Sequence, residues 1–316
     1  LFHVKLGSMA DKTRRLVDIS SQISDLIGAD RGITTRAAEL CKLDLLSNMV
    51  GEFASLQGAM GRYYALHDGE PATVADAIEQ HYWPKFAGDK LPESAEAIAL
   101  ALADRLDALV GIFATGERPS GVKDPYALRR AALGVLRMLI EKQLDIPLQT
   151  LLDITLEAYR NQQAGDINLD TETRSQLRQF ILDRLRAYYT SRDFEINTFN
   201  AVAAVEPARV YDFDQRIHAV RDFFQTEKSA ATALAAANKR IANILKKQEF
   251  TQSRYDRELL SEAAELKLAD ILESLQKSTH TAFASQQYAQ GLAELAQLQA
   301  PVDTFFDDVR VMADDS

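Results

Sequence analysis

The sequence predicts an all-α fold, and three observations carry that expectation. Seven of the eight prolines precede residue 210 and no glycine lies between Gly165 and Gly291, so a long stretch lacks helix breakers. That stretch is rich in Ala, Leu, Glu, Lys and Arg, which lose little conformational freedom in a helix. No segment shows the alternation of apolar and polar residues that marks a half-buried strand.

In chain order, residues 5–27 place Leu16, Ile19, Ile23, Leu26 and Ile27 at helical spacing, with Gly28 as the C-cap. A second helix from about Thr34 carries Ala37, Ala38, Leu40, Cys41, Leu43, Asp44, Leu45 and Met49. Apolar nearly all round, it is expected at the centre of the core. Gly51, Gly58 and Gly61 loosen the next segment, His67-Asp68-Gly69-Glu70-Pro71 reads as a turn, and Thr73 is the expected cap of a helix ending at Tyr82. After the Pro84–Pro92 loop comes a helix over 93–113. Asp124 is then expected to cap a helix that opens at Pro125 and runs to Lys142. The helix over 148–159 opens after Pro147, and the polar segment 161–170 has little to bury, which makes it the expected domain boundary. Beyond it, helices are expected at 171–191, 196–205, 212–225, 229–247, 262–279 and 284–312, the last kinked or split at Pro301.

The chain's 316 residues allow two domains, each within roughly 100–200 residues. The boundary divides them as 1–165 and 166–316. A hydrophobic fraction of 47% and a charged fraction of 26% are ordinary for a soluble protein. No apolar run approaches the roughly 18–20 residues of a membrane span, so no membrane partner is expected. Cys41 is the lone cysteine, which excludes an internal disulfide framework and a cysteine-based zinc site and points to a reducing, cytoplasmic setting. A net charge of −10 argues against general nucleic-acid affinity, DNA included, and leaves only local basic patches for phosphates. The first residues lack an export signal. The start at Leu1 and the end in mid-pattern lead us to expect a piece of a longer protein.

Two constellations bear on function. In the first, Asp44, His81 and Asp104 could converge on one divalent ion and activate water. The run from His81 to Pro92, and Ala101-Leu102-Ala103-Asp104-Arg105-Leu106-Asp107, resemble the loop and the last metal-binding helix of HD-type phosphohydrolases. In that family a His-Asp pair begins the ligand set. This chain has Leu43-Asp44 at that place, and its literal His67-Asp68 pair falls in a turn. The metal positions Asp44, His81 and Asp104 are therefore expected to be degenerate, with no bound metal and no catalytic residue, and Asp44 must find other partners. An active metal-dependent phosphohydrolase is the alternative.

The second constellation is basic. Residues 238–247 contain Lys239, Arg240, Lys246 and Lys247 without an acid, and Ile241, Ile244 and Leu245 are expected to face a core beneath them. Lys12, Arg14 and Arg15 form a second cluster, and Arg129 and Arg130 a third with Arg137. Arg62 beside Tyr63 and Tyr64 can combine phosphate contact with stacking on an unpaired base. No nucleophile elbow, phosphate-binding glycine loop or nicotinamide fingerprint is present.

Several blocks together resemble the β subunit of the bacterial tetrameric (α2β2) glycyl-tRNA synthetases. They are residues 5–15, Gly61-Arg62-Tyr63-Tyr64-Ala65 with His67-Asp68-Gly69-Glu70, Phe86-Ala87-Gly88-Asp89, residues 123–134, residues 237–245 and residues 305–312. The resemblance implies a degenerate HD-like domain over 1–165, then linker helices and an anticodon-binding domain, cut short at its C-terminal end, over 166–316. It implies tRNA(Gly) and the α subunit as partners. Glycylation with ATP and Mg is implied at an active site on the α subunit, so this chain would bind no cofactor itself. By charge and position, the residues expected at the tRNA are Lys12, Arg14, Arg15, Arg62, Arg129, Arg130, Lys239, Arg240, Lys246 and Lys247. Phe305 and Phe306 are expected to pack a helical bundle. A scaffold that contacts the α subunit without touching RNA is a third reading.

Overall fold

The computed structural model describes residues 3–162, 170–245 and 255–309, and among these every regular element is helical. They form two compact units, Leu1–Ile196 with Glu206–Tyr211, and Asn197–Val205 with Asp212–Ser316.

In the first unit, α1 (Met9–Ile27) begins at a capping box in which Asp11 N–H donates to the Ser8 hydroxyl and Ser8 N–H donates to the Asp11 carboxylate. It ends at Gly28, whose φ of +71° is the left-handed conformation glycine adopts without strain. Asp30 caps α2 (Arg31–Leu40) through Ile33 N–H. The expected continuous helix from Thr34 to Met49 is not formed. The chain leaves α2 at Leu40 and makes a 3-10 turn over Leu43–Leu46, and Ser47 then caps α3 (Asn48–Glu52). Asp44 therefore lies on this turn rather than on a core helix, and Leu43 and Leu46 are exposed.

Next come α4 (Ala59–His67), which leaves His67-Asp68 exposed at its end, and α5 (Ala72–Gln80). Pro71 rather than Thr73 opens α5, its carbonyl accepting from Val74 and Ala75. The centre of the unit is α6 (Ala95–Ala114), not the second helix. Capped by Ser94, it is buried on nearly every side and packs on α1, α2 and α5. It also packs on α7 (Leu128–Glu141), α8 (Leu148–Asn161) and α9 (Thr171–Thr190). The sequence explains this, since Ala95–Ala114 is apolar through almost six turns. Asp124 does cap α7, but across a turn in which Ala127 has positive φ, so α7 starts three residues later than the proline expected to open it. The unit also runs past residue 165, because α9 packs on α6 and α7.

In the second unit are α10 (Ile196–Ala203), α11 (Val210–Thr226), α12 (Lys228–Leu245), α13 (Ala263–Ala284), α14 (Tyr288–Leu295) and α15 (Gln299–Asp308). Residues 284–308 are split, with a 3-10 turn at Ala296–Leu298 and Pro301 in the first turn of α15. A polar contact lies inside the unit. The Tyr288 hydroxyl donates to Asp212, which also pairs with Arg216 at 2.8 Å.

Candidate functional site

The three positions expected to form a degenerate metal site come together in part, and lysines lie among them. His81 is fully buried at the end of α5, and its Nδ1–H donates to the Ile78 carbonyl at 2.6 Å. That fixes the tautomer and leaves the Nε2 lone pair facing the cluster, as in a metal-binding histidine. Lys42 Nζ lies 2.8 Å from Nε2, donates to it, and is 3.2 Å from Asp104 Oδ2. The ammonium of Lys12 then bridges Asp104 Oδ1 at 3.0 Å and Asp107 Oδ2 at 2.9 Å.

A shell of further bonds holds these groups. Arg15 is 0% exposed, donates to both oxygens of Asp107 and to the Leu6 carbonyl, and stacks 4.3 Å from the centre of the Tyr159 ring. Arg105 donates to the carbonyls of His81, Ala101, Tyr82 and Pro84, which ties the loop after α5 to α6. Burial lowers the Arg105 guanidinium to about 10, the groups around it being carbonyl dipoles rather than a paired carboxylate.

The electrostatics follow from this packing. Burial, then the neighbouring Lys42 charge, keep His81 well below its ordinary range and neutral at pH 7. Burial acts to raise Asp104, but Lys12 and Lys42 outweigh it and hold the carboxyl well below the usual range. Burial opposes the charge on Lys12, and Asp104 with Asp107 more than restore it, so its pKa is raised. The cluster pairs its charges internally while lining one side of a cleft of about 670 Å³. Asp44 stands apart, its Oδ2 accepting from Gly58 N–H at 2.7 Å.

The metal-dependent phosphohydrolase reading is therefore corrected. Nε2 of His81 and Oδ2 of Asp104 already accept from Lys42, Oδ1 of Asp104 is ion-paired with Lys12, and Oδ2 of Asp44 accepts from a backbone amide, although Oδ1 of Asp104 and of Asp44 are buried without a hydrogen-bond partner. Among the described residues no three His, Cys, Asp or Glu side chains are grouped to hold a metal ion. Lys42 and Arg105 are the residues that sequence reasoning missed. The available signal was a cation set in a largely apolar stretch close to a carboxylate, Lys42 near Asp44 and Arg105 beside Asp104.

The basic residues divide by burial. Lys12 and Arg15 are interior, as above, so the expectation that they face RNA is corrected. Arg62 is half-buried and pairs with Asp76 at 2.6 Å, and Arg14 is exposed beside Asp11. Arg129 and Arg130 lie in the first turn of α7, and their guanidiniums donate to the carbonyls of Gly121 and Lys85. Lys239 and Arg240 are exposed on α12, the Arg240 guanidinium 4.1 Å from the Phe306 ring centre. Phe305 and Phe306 are half-buried and pack edge to face. Lys246 and Lys247 lie outside the described residues. Ile241 and Leu245 are not turned into a core. They are 41% and 47% exposed.

Comparison with known proteins agrees with both halves of this picture. The sequence model of the family described as glycyl-tRNA synthetase beta subunit matches residues 1–204, and that of the DALR anticodon binding domain matches residues 234–316. Proteins named glycine–tRNA ligase beta subunit from Pectobacterium atrosepticum, Shigella dysenteriae serotype 1 and Serratia proteamaculans are each 46% identical to it over 316 residues. That alignment takes in all of this chain and 45% of each relative, so the chain spans about half their length. With the beta-subunit model matching residues 1–204 and the anticodon-binding model matching 234–316, the chain belongs to the glycyl-tRNA synthetase beta subunit family.

Proposed function

We propose that this chain is the tRNA-binding part of a glycine–tRNA ligase β subunit. It holds tRNA(Gly) while an α subunit, which binds ATP and Mg, carries out glycylation. The observation that carries this reading is the anticodon-binding match over 234–316, within which Lys239 and Arg240 are exposed. In this reading residues 1–165 are the HD-like scaffold, and 166–316 supply linker helices and the anticodon-binding part. The chain contributes no catalytic group, and the complex works in the cytoplasm.

The charge pattern supports a shaped site over general RNA affinity. A body of net charge −10 repels nucleic acid except where cations cluster. Arg14, Arg62, Arg129, Arg130, Lys239 and Arg240 are the described residues offered to tRNA; Lys246 and Lys247 extend the α12 sequence run. The test is tRNA(Gly) binding by the αβ complex over a salt series, with the Lys239→Ala/Arg240→Ala double variant. Each lost phosphate contact should reduce the slope of log K against log salt by about 0.9. An unchanged slope removes α12 from the interface. Equal binding of a tRNA altered only in its anticodon removes base readout from this subunit.

A further inference from the structure

A cleft of about 510 Å³ lies in the first unit between α7, α9 and the loop after α5. That volume is within the range of about 300–1,000 Å³ common to small-ligand sites. Arg129, Arg130, Arg184 and Arg192 line it, and none of the four guanidiniums forms an ion pair among the described residues. Three of them donate to main-chain carbonyls of Gly121, Lys85 and Tyr188. Nε of Arg184 is buried and has no hydrogen-bond partner.

Asp124 is the one acid on the lining, and its two oxygens are taken by the amides of Leu128 and Arg129 at 2.8 and 3.0 Å. The fifth arginine, Arg137, differs from the other four in being paired with Glu141 at 2.7 Å. Four like charges converge on a concavity that holds one carboxylate, already committed to backbone amides; they repel one another, and an anion in the cleft relieves that. Planar guanidiniums match the oxygens of a phosphate in pairs. Arg192 is set for this, lying 3.6 Å from the centre of the Tyr188 ring, which limits its rotamers.

Among the lining residues one aromatic ring stands out in the open. Phe86 is 62% exposed on the loop after α5, an aromatic surface that the fold leaves uncovered. Unpaired bases stack on such rings, whereas paired ones cannot leave their helix to do so. A second cleft shares Arg130 and Ala127 with the first and adds Lys85, so cations continue past the pocket in one direction. A strand has use for that continuation; a free nucleotide does not.

We propose that this cleft binds one unpaired nucleotide of the tRNA, its phosphate among Arg129, Arg184 and Arg192, its base on Phe86, and the next phosphate at Arg130 and Lys85. The proposal rests on the tRNA-binding reading above and assigns to the HD-like body a contact separate from that of α12.

The test uses the full β subunit with its α subunit and a tRNA(Gly) transcript. Arg184→Ala/Arg192→Ala should weaken binding about tenfold or more and lower the salt slope by about 0.7, the share of one phosphate on an unpaired strand. Phe86→Ala should weaken it by about fivefold or more, and Phe86→Tyr should restore it. Chemical probing of the bound tRNA should show one unpaired position protected in the parent and lost in Phe86→Ala. Parent-like affinity in the arginine and Phe86 variants, alongside loss in Lys239→Ala/Arg240→Ala, overturns this proposal and leaves the tRNA-binding reading standing. Loss in the arginine pair with none in Phe86→Ala reduces the cleft to a backbone contact and overturns the nucleotide site. Phe86-dependent binding of adenosine monophosphate without Phe86-dependent binding of tRNA marks a free-nucleotide site and also overturns it. Failure of the parent complex to bind tRNA removes the underlying reading as well.

Discussion

In the first unit Lys12, Arg15, Lys42 and Arg105 point inward and are held by carboxylates, an imidazole and carbonyls, whereas on α12 of the second Lys239 and Arg240 stand exposed. The same residue types therefore do different physical work. Inside, a cation sits among a histidine and aspartates and compensates their charge. Outside, it is available to an anionic partner. The lesson is that a basic run in the sequence says nothing of function until burial is known, since Arg14 and Arg15 are neighbours with opposite fates.

The largest effect expected from this contrast is on stability in the first unit. Asp107 is fully buried and compensates both Lys12 and Arg15, so Asp107→Ala leaves two buried cations short of a partner. Breaking such a pair from one side costs about 3–5 kcal/mol. Urea unfolding of this chain should show the midpoint fall accordingly, while Lys239→Ala leaves it in place. A small loss for Asp107→Ala would mean that the cluster is open to water and the contrast overstated.

A smaller loss is expected where α6 and α8 touch. A Cβ at Gly111 would lie 2.0 Å from Oη of Tyr159, the group that donates to the Asp107 carbonyl at 2.9 Å. Gly111→Ala must therefore displace a fully buried ring beside the charge network, at about 1–3 kcal/mol for overpacking. Thermal melting checks this, and a melting point equal to the parent's would show that the ring gives way freely.

The pH dependence separates the cluster's members. The folded chain keeps His81 neutral while the unfolded chain takes up a proton near the ordinary value of 6.5. Below that pH the unfolded state binds more protons, so stability falls as pH falls, by at most about 1.4 kcal/mol per unit. Asp104 acts in a lower window, its contribution being present above its ordinary value of 3.8 and lost as pH drops through its depressed folded value. Urea midpoints at pH 7.5 and 5.5 should differ in the parent, and the difference should shrink in His81→Gln. An equal difference in both would assign the slope to other groups.

How much of this was legible follows from where each signal lives. Many helix ends were, because Gly28 and Asp124 act within a few residues of the ends they cap. The break after Leu40 was not, because it depends on Asp44 accepting from Gly58, fourteen residues away. For the same reason the pairing of Lys42 with His81 and Asp104 was hidden, while the leucine at Leu43, beside Asp44, was plain in the sequence. Arg184 and Arg192 carry no sequence mark at all. They meet Arg129 and Phe86 only because α9 packs on α7.

The smallest predicted effect tests the other side of the comparison. Periodicity placed Ile241 in a core, yet it is exposed on the same helix as the cations. A buried isoleucine truncated to a small residue loses about 2–5 kcal/mol. An exposed one changes stability by no more than about 0.5 kcal/mol. Ile241→Ser should thus leave the unfolding midpoint within error of the parent. A loss in the buried range would show that α12 is covered at Ile241, and the picture of this helix as an open, cation-bearing surface would have to be redrawn from that residue outward.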